Sequence, residues 1–284
     1  MAQTTPSSTA SKTPTAPKNQ AGSNAGSFAV IAIIVLLILS ICIWKFYMGD
    51  PSHFEGGDPV KGHPIDANLP GTIYKGGFIV PILMTFLLTV ITISIERIFT
   101  LMKAKGRGSV PAFVRKIKAY LDANDIAGAL KECDRQQGSV GNVVNAVLHK
   151  YQAMLNEPSM DREQKTIAIQ KELEEATALE LPMLEKNLVI IATLASIATL
   201  GGLLGTVLGM IRAFAALAQA GAPDTAALST GISEALINTA FGIGTSALAI
   251  VMYNYFTSYI DSLTYSIDEI GFSIVQNFQS KVPA

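Results

Sequence analysis

Residues 187–218 read NLVIIATLASIATLGGLLGTVLGMIRAFAALA, a run whose only charged side chain is Arg212. Coiled as an α-helix it would be roughly 45 Å long, against a bilayer hydrocarbon layer of roughly 30 Å. It predicts a membrane-spanning helix that tilts or protrudes. Residues 219–228 (QAGAPDTAAL) predict a tight turn. Residues 229–259 are a second apolar run, with Glu234 as its only charged residue. Beyond it Ile260, Leu263, Ile267, Ile270, Ile274 and Phe278 recur every three or four positions among Asp261, Asp268 and Glu269. That periodicity extends the helix out of the membrane as an amphipathic stem over 260–284.

Upstream, residues 77–101 predict another span. It closes on Glu96-Arg97 and is followed by Lys103, Lys105 and Arg107. Residues 28–47 predict an additional N-terminal transmembrane helix, with Trp44 and Tyr47 at an interface and Lys45 able to snorkel to it. A cleaved signal peptide is the rival reading of 28–47. The long polar lead-in and the lack of a small-x-small site after the run favour an uncleaved anchor. Residues 1–27 are rich in Ser, Thr, Pro, Ala and Gln and predict a disordered tail. Residues 48–76 are rich in Gly, Pro, Asp and His and predict a connector with little regular structure.

Residues 102–186 are the one sizeable polar region, with apolar residues at helical spacing. About four helices and no strands are expected there. Pro111 suits a first turn, Asn124-Asp125 a cap and Gly138-Ser139 a break. Residues 161–186 read as one long charged helix. The fold class is therefore all-α: a polytopic helical membrane protein whose long spans run into a helical cytoplasmic domain. The segment from Arg97 to Lys186 holds 14 of the 21 Lys and Arg residues. The positive-inside rule puts this region and both termini in the cytoplasm, and 48–76 and 219–228 in the periplasm.

Composition agrees. The 284 residues are 49% hydrophobic and 15% charged, where soluble domains carry about 25% charged residues. The net charge of −1 offers no basic footprint for nucleic acid. Cys42 and Cys133 sit in unlike surroundings, so no disulfide framework is expected. There is no CxxC or HExxH spacing and no nucleophile–base constellation, so neither a metal, a cofactor nor an enzyme is expected.

The polar and small residues inside the last two spans carry the functional reading. Gly201, Gly205 and Gly209 repeat every four residues and predict a close-packing seam. Thr199 and Thr206, seven apart, share a face with Ser196 near its edge. In the partner span Glu234, Asn238 and Thr245 lie within about 40° of one another at 100° per residue. Thr239 and Ser246 form an adjacent column. A lone threonine in a span commonly bonds its own i−4 carbonyl. Two helices with heptad-spaced hydroxyls point instead to a shared polar interior. Glu234 admits two readings: a functional carboxylate, or one resting in the headgroup zone close to the short turn. Glu96 and Arg97 read as an interfacial pair. Neither span carries another carboxylate or a histidine. If protons cross here, a second polypeptide brings the acid.

The stretch Ile197 to Ile211 resembles the LLGLLGTVLGM signature of the MotA/TolQ/ExbB proton-channel family. Gly231 to Gly242, GISEALINTAFG, resembles that family's GIxEALxxTAxG, and Asp125 to Cys133 resembles its cytoplasmic segment. The resemblance spans roughly 78–260. It implies a pentamer in the bacterial inner membrane around a dimer of a single-span, ExbD-like partner that supplies the titrating aspartate. Thr206 and Thr239 would line the pore, and Glu234 matches the family's glutamate. Force would pass to a TonB-like protein. Envelope maintenance of the TolQ kind and flagellar drive of the MotA kind are alternatives within the family. A solute transporter or passive scaffold is the alternative outside it, disfavoured by the lack of internal repeats. Thr199 stands where the family often has proline, and the 28–47 span is additional to the family's three.

Overall fold

The computed structural model describes residues 21–59, 62–65, 68–219 and 225–282. Nine α-helices are described: α1 (Ala21–Cys42), α2 (Leu69–Tyr74), α3 (Ile79–Lys105), α4 (Val110–Asp122), α5 (Ile126–Gln136), α6 (Gly138–Leu155), α7 (Arg162–Glu185), α8 (Leu188–Gln219) and α9 (Thr225–Lys281). Extended structure among the described residues is limited to one isolated bridge between Phe54 and Pro64. Four helical stretches are long and apolar enough to cross a membrane, within Val30–Met48, Ile79–Asp122, Arg162–Ala215 and Leu228–Lys281. The protein is an all-helical, multi-pass membrane protein.

The long helix α9 organises the chain. Its first half pairs along α8 and touches α3; its second half is the central strut of a small helical bundle. There Leu263, Ile267, Ile270, Ile274 and Phe278 pack with Val110, Phe113, Ile117 and Leu121 of α4 and with Val143, Val147 and Tyr151 of α6. The spacing of these α9 residues makes one apolar stripe, and α4 to α7 cover it. Polar ties lock the far end. The Tyr151 hydroxyl donates to Asn277 Oδ1 at 2.9 Å. Asn277 Nδ2 and Lys281 Nζ both donate to the Leu121 carbonyl, each at 3.0 Å. The same carbonyl also accepts the Asn124 N–H at 3.1 Å, so the last turn of α4 and the end of α9 meet on one acceptor. A capping box between Asp161 and Gln164 starts α7.

The bundle is bolted to the end of α3 at one tight crossing. Gly106 and Gly138 both have positive φ, 76° and 73°. A Cβ on Gly138 would lie 2.7 Å from the Gly106 nitrogen, so both glycines are demanded by conformation and by space. Gln136 Nε2 donates to the Lys105 carbonyl at 2.9 Å across the same crossing.

Cys133 lies in the bundle core at 2% exposure. Burial, with the charges of Asp134 and Glu132, pushes its thiol up to about 12. At pH 8 only about one such thiol in ten thousand is the reactive thiolate. Maleimide labelling of Cys133 in the full chain is therefore expected to be at least about a thousandfold slower than that of a free thiol. Denaturant should bring it to full rate. Rapid labelling of Cys133 in the folded protein, with Cys42 replaced by serine, would contradict this core.

Some boundaries differ from the sequence expectation. Residues 21–27 of the expected tail continue α1, and 1–20 lie outside the described residues. The 77–101 span runs on to Lys105. The 48–76 connector is more regular than its composition suggests. The expected 28–47 span ends in a π-helical turn over Ile43–Met48; the connector after it contains two 3-10 turns and ends in α2. Aromatic rings give it a core. Trp44 stacks on Tyr74 with centroids 4.7 Å apart, and Phe54 meets Tyr74 edge-on at 5.6 Å. Trp44 Nε1 also donates to the Tyr74 carbonyl at 3.3 Å. Of the expected 219–228 turn, residues 220–224 lie outside the described residues.

Candidate functional site: the hairpin of α8 and α9

Lipid tails give two apolar helices no reason to associate, so the hairpin is held by close approach and polar contacts. The small residues provide the approach, though not all on the expected register. Gly202 faces the Asn238 carbonyl and Gly242, Gly205 lies against the Asn238 side chain, and Gly209 lies against Ala235. Gly231 on α9 meets Ala213 on α8 in the same way. The α8 seam is thus Ala198, Gly202, Gly205, Gly209 and Ala213. Gly201 is off it and faces Leu83 of α3. The strict four-residue repeat of Gly201, Gly205 and Gly209 concealed Gly202. Matching the seam to the small residues of α9, Gly231, Ala235 and Gly242, would have found it.

The hydroxyls separate into three groups. Thr206 and Thr239 meet across the hairpin, hydroxyl to hydroxyl. Each also reaches the Ala235 carbonyl, at 3.3 and 3.2 Å, and Thr206 reaches the Gly202 carbonyl at 3.1 Å. Both side chains are half-buried. A hydroxyl has one proton to donate and two lone pairs. This pair therefore has more acceptors than protons and can turn a donor or an acceptor toward a group placed beside it.

Asn238, Thr245 and Ser246 depart from the pore-lining expectation. They are 0%, 1% and 8% exposed and lie inside the subunit. Asn238 Nδ2 donates to the Gly76 carbonyl at 2.9 Å, and Ser246 donates to the Ala195 carbonyl at 2.5 Å. The angular grouping of Asn238 with Thr245 is kept. It points into the glycine seam and toward α3 because only there does α8 lack side chains. Thr199 and Ser196 are exposed on the outside of α8.

Glu234 is ion-paired with Arg212 of α8. Arg212 stood in the sequence as the only charge of its span, and its spacing from Glu234 across the turn was the available sign of the pair. Glu96 and Arg97 do pair, with Arg97 Nε donating to Glu96 Oε2 at 2.7 Å. Arg97 is not a snorkelling interfacial cation: it is 1% exposed. Its Nη1 points at the Met183 and Leu184 carbonyls, 3.4 Å from each. Asn187 Nδ2 donates to Glu96 at 3.3 Å. The pair thus fastens α3 to the break between α7 and α8, where Asn187 has φ of 64°. Among the described residues no cluster of His, Cys, Asp or Glu could hold a metal ion.

Fold and site together define a polytopic helical membrane protein with a hydroxyl pair held in a close-packed hairpin. The profile of the MotA/TolQ/ExbB proton channel family matches residues 141–269, so that part of the chain is similar to the family. The match covers α6, α7, α8 and the first three quarters of α9; the expected resemblance had begun further upstream, near 78. Similar proteins include the biopolymer transport protein ExbB of Pseudomonas putida, 28% identical over 58% of this chain and 48% of that protein. The Tol-Pal system protein TolQ of Pseudomonas aeruginosa is 29% identical over 45% of this chain and 59% of its own length. A putative ExbB-like protein of Synechocystis is 36% identical over 30% and 42%. The chain thus spans about half the length of the curated relatives it matches.

Proposed function

We propose that the chain is the multi-helix subunit of an ExbB-like proton channel and motor in a bacterial inner membrane. Several copies, a pentamer by the family resemblance, would enclose a dimer of a single-span, ExbD-like partner. The partner's membrane carboxyl would take and release protons beside Thr206 and Thr239. Movement of that dimer would be passed to a TonB-like protein for import across the outer membrane. The bundle of α4 to α7 and both termini would be cytoplasmic, with the α2 connector periplasmic. The chain itself performs no bond chemistry in this reading.

The observation that carries it is the Thr206–Thr239 pair together with what the spans lack. Between Leu188 and Ile260 the charged residues are Arg212, Asp224 and Glu234. Asp224 lies outside the described residues, and Arg212 and Glu234 pair with each other. The hydroxyl pair can therefore orient a proton carrier but cannot be one. A second reading, a TolQ-type role in envelope integrity, is favoured by the TolQ relative and uses the same hydroxyls.

The test is co-expression with an ExbD-like single-span protein from the same organism. Thr206→Val and Thr239→Val, nearly isosteric and without the hydroxyl, are each expected to leave the complex intact. Proton-driven activity should fall by roughly tenfold or more, the scale on which a lost polar contact to a charged group acts. Unchanged uptake and unchanged envelope integrity in both variants would sink both readings. Purification of the chain without any partner helix would do the same.

A further inference from the structure

Three consecutive residues just before α3 receive both helices of the hairpin. The Gly76 carbonyl accepts from Asn238 of α9 at 2.9 Å. Gly77 lies against the Glu234 carboxylate, so closely that a Cβ there would collide with Glu234 Oε1. Phe78 lies under the Arg212 guanidinium of α8, 5.2 Å from ring centroid to Cζ. Gly77 has φ of 76°, so backbone conformation and carboxylate access both require glycine. The seat is fixed from behind: α2 ends at Tyr74, and Tyr74 is clamped by Trp44.

We propose that Arg212 and Glu234 are positioning residues. Seated on Gly76–Phe78, the pair latches the outer ends of α8 and α9 to α3 and sets the register in which Thr206 and Thr239 meet. This rests on the proposed role of the two threonines. Arg212 is six residues from Thr206 and Glu234 five from Thr239, or about 9 and 7.5 Å along each helix. A slip at the latch therefore reaches the threonines almost undiminished. Glu234 is occupied as a structural anion and does not serve as a proton carrier. Arg212 offers a planar fork and stacks on a ring, which lysine reproduces only in charge.

The experiment reads register directly. In full-length protein in native membranes, with Cys42→Ser and Cys133→Ala, Thr206→Cys and Thr239→Cys are introduced together and oxidised. The cross-link is scored by loss of maleimide-polymer labelling. Adding Arg212→Gln or Glu234→Gln is expected to lower the yield about threefold, the scale of a part-exposed ion pair. Arg212→Lys should be intermediate, and the reversed pair Arg212→Glu with Glu234→Arg should restore the yield. Yield unchanged in both glutamine variants, or not restored by the reversed pair, overturns the latch. The reversed pair also guards against simple misfolding, because it carries two substitutions yet is expected to recover. Motor activity is measured in parallel with both threonines intact. A lower cross-link yield with undiminished activity supports the latch and defeats the threonine reading instead.

Discussion

Gly242→Val is expected to remove the folded hairpin altogether. A Cβ at this position would lie 2.6 Å from the Ala198 carbonyl oxygen and 2.8 Å from the Gly202 Cα. Both obstacles are backbone, so no side chain can rotate aside. The helices must part along the seam, and lipid supplies no hydrophobic force to bring them back. Overpacking of this kind costs about 3 kcal/mol, and parting the helices also separates Thr206 from Thr239. Thermal unfolding of the full chain in detergent should show the loss as a transition lowered by roughly 10 °C or as aggregated material. Gly244, two residues along, is the control, because no atom lies within 4 Å of its would-be Cβ. Gly244→Ala should be neutral or stabilising, since alanine is the better helix former by about 1 kcal/mol. Equal behaviour of the two variants would mean that the seam does not hold α8 to α9.

Arg97→Ala carries the second large effect. The guanidinium is buried, bonded to Glu96 and directed at two carbonyls near the end of α7. Removing one partner of a buried ion pair costs about 3–5 kcal/mol, chiefly because the remaining charge loses its counterion. Here Glu96 is 37% exposed, and Thr100 still donates to it at 3.0 Å and Asn187 at 3.3 Å. Solvent and these donors screen the charge left behind, so a loss of about 2 kcal/mol, below that range, is expected. The double change Arg97→Met with Glu96→Gln removes both charges and keeps the bulk. It should be less damaging than Arg97→Ala. A double variant worse than the single would mean that packing, not charge pairing, sets the cost. The readout is again the unfolding transition of the full chain.

These effects also mark what the sequence made legible. The spans, the polar bundle and the amphipathic stem follow from runs and periodicities, which are local properties. The cap at Asp125 was equally local. Helical phase placed Asn238 with Thr245 on one face, but which way that face turns depends on the neighbouring helix. It turns inward because Gly202, Gly205 and Gly242 leave room there. Thr206 and Thr239 were singled out by motif, yet their meeting depends on hairpin register across a turn. Arg97 read as interfacial because it closes a span. Only the return of α7 and α8 to the same point, nearly ninety positions later, buries it. The connector's aromatic core was likewise hidden, since Trp44 closes the apolar span before it while Phe54 and Tyr74 are scattered in a Gly- and Pro-rich stretch.

The 57 residues of α9 form one continuous helix, about 85 Å from end to end. Its first half carries Thr239 and Glu234, and its second half is the strut around which the polar bundle is assembled. No break lies between them to absorb an angular change. The element therefore acts as a lever arm: a tilt of about 5° pivoted near its start would carry the far tip some 7 Å, more than the rise of one helical turn. Whatever happens beside the hydroxyl pair is felt by the bundle as displacement, without any separate relay.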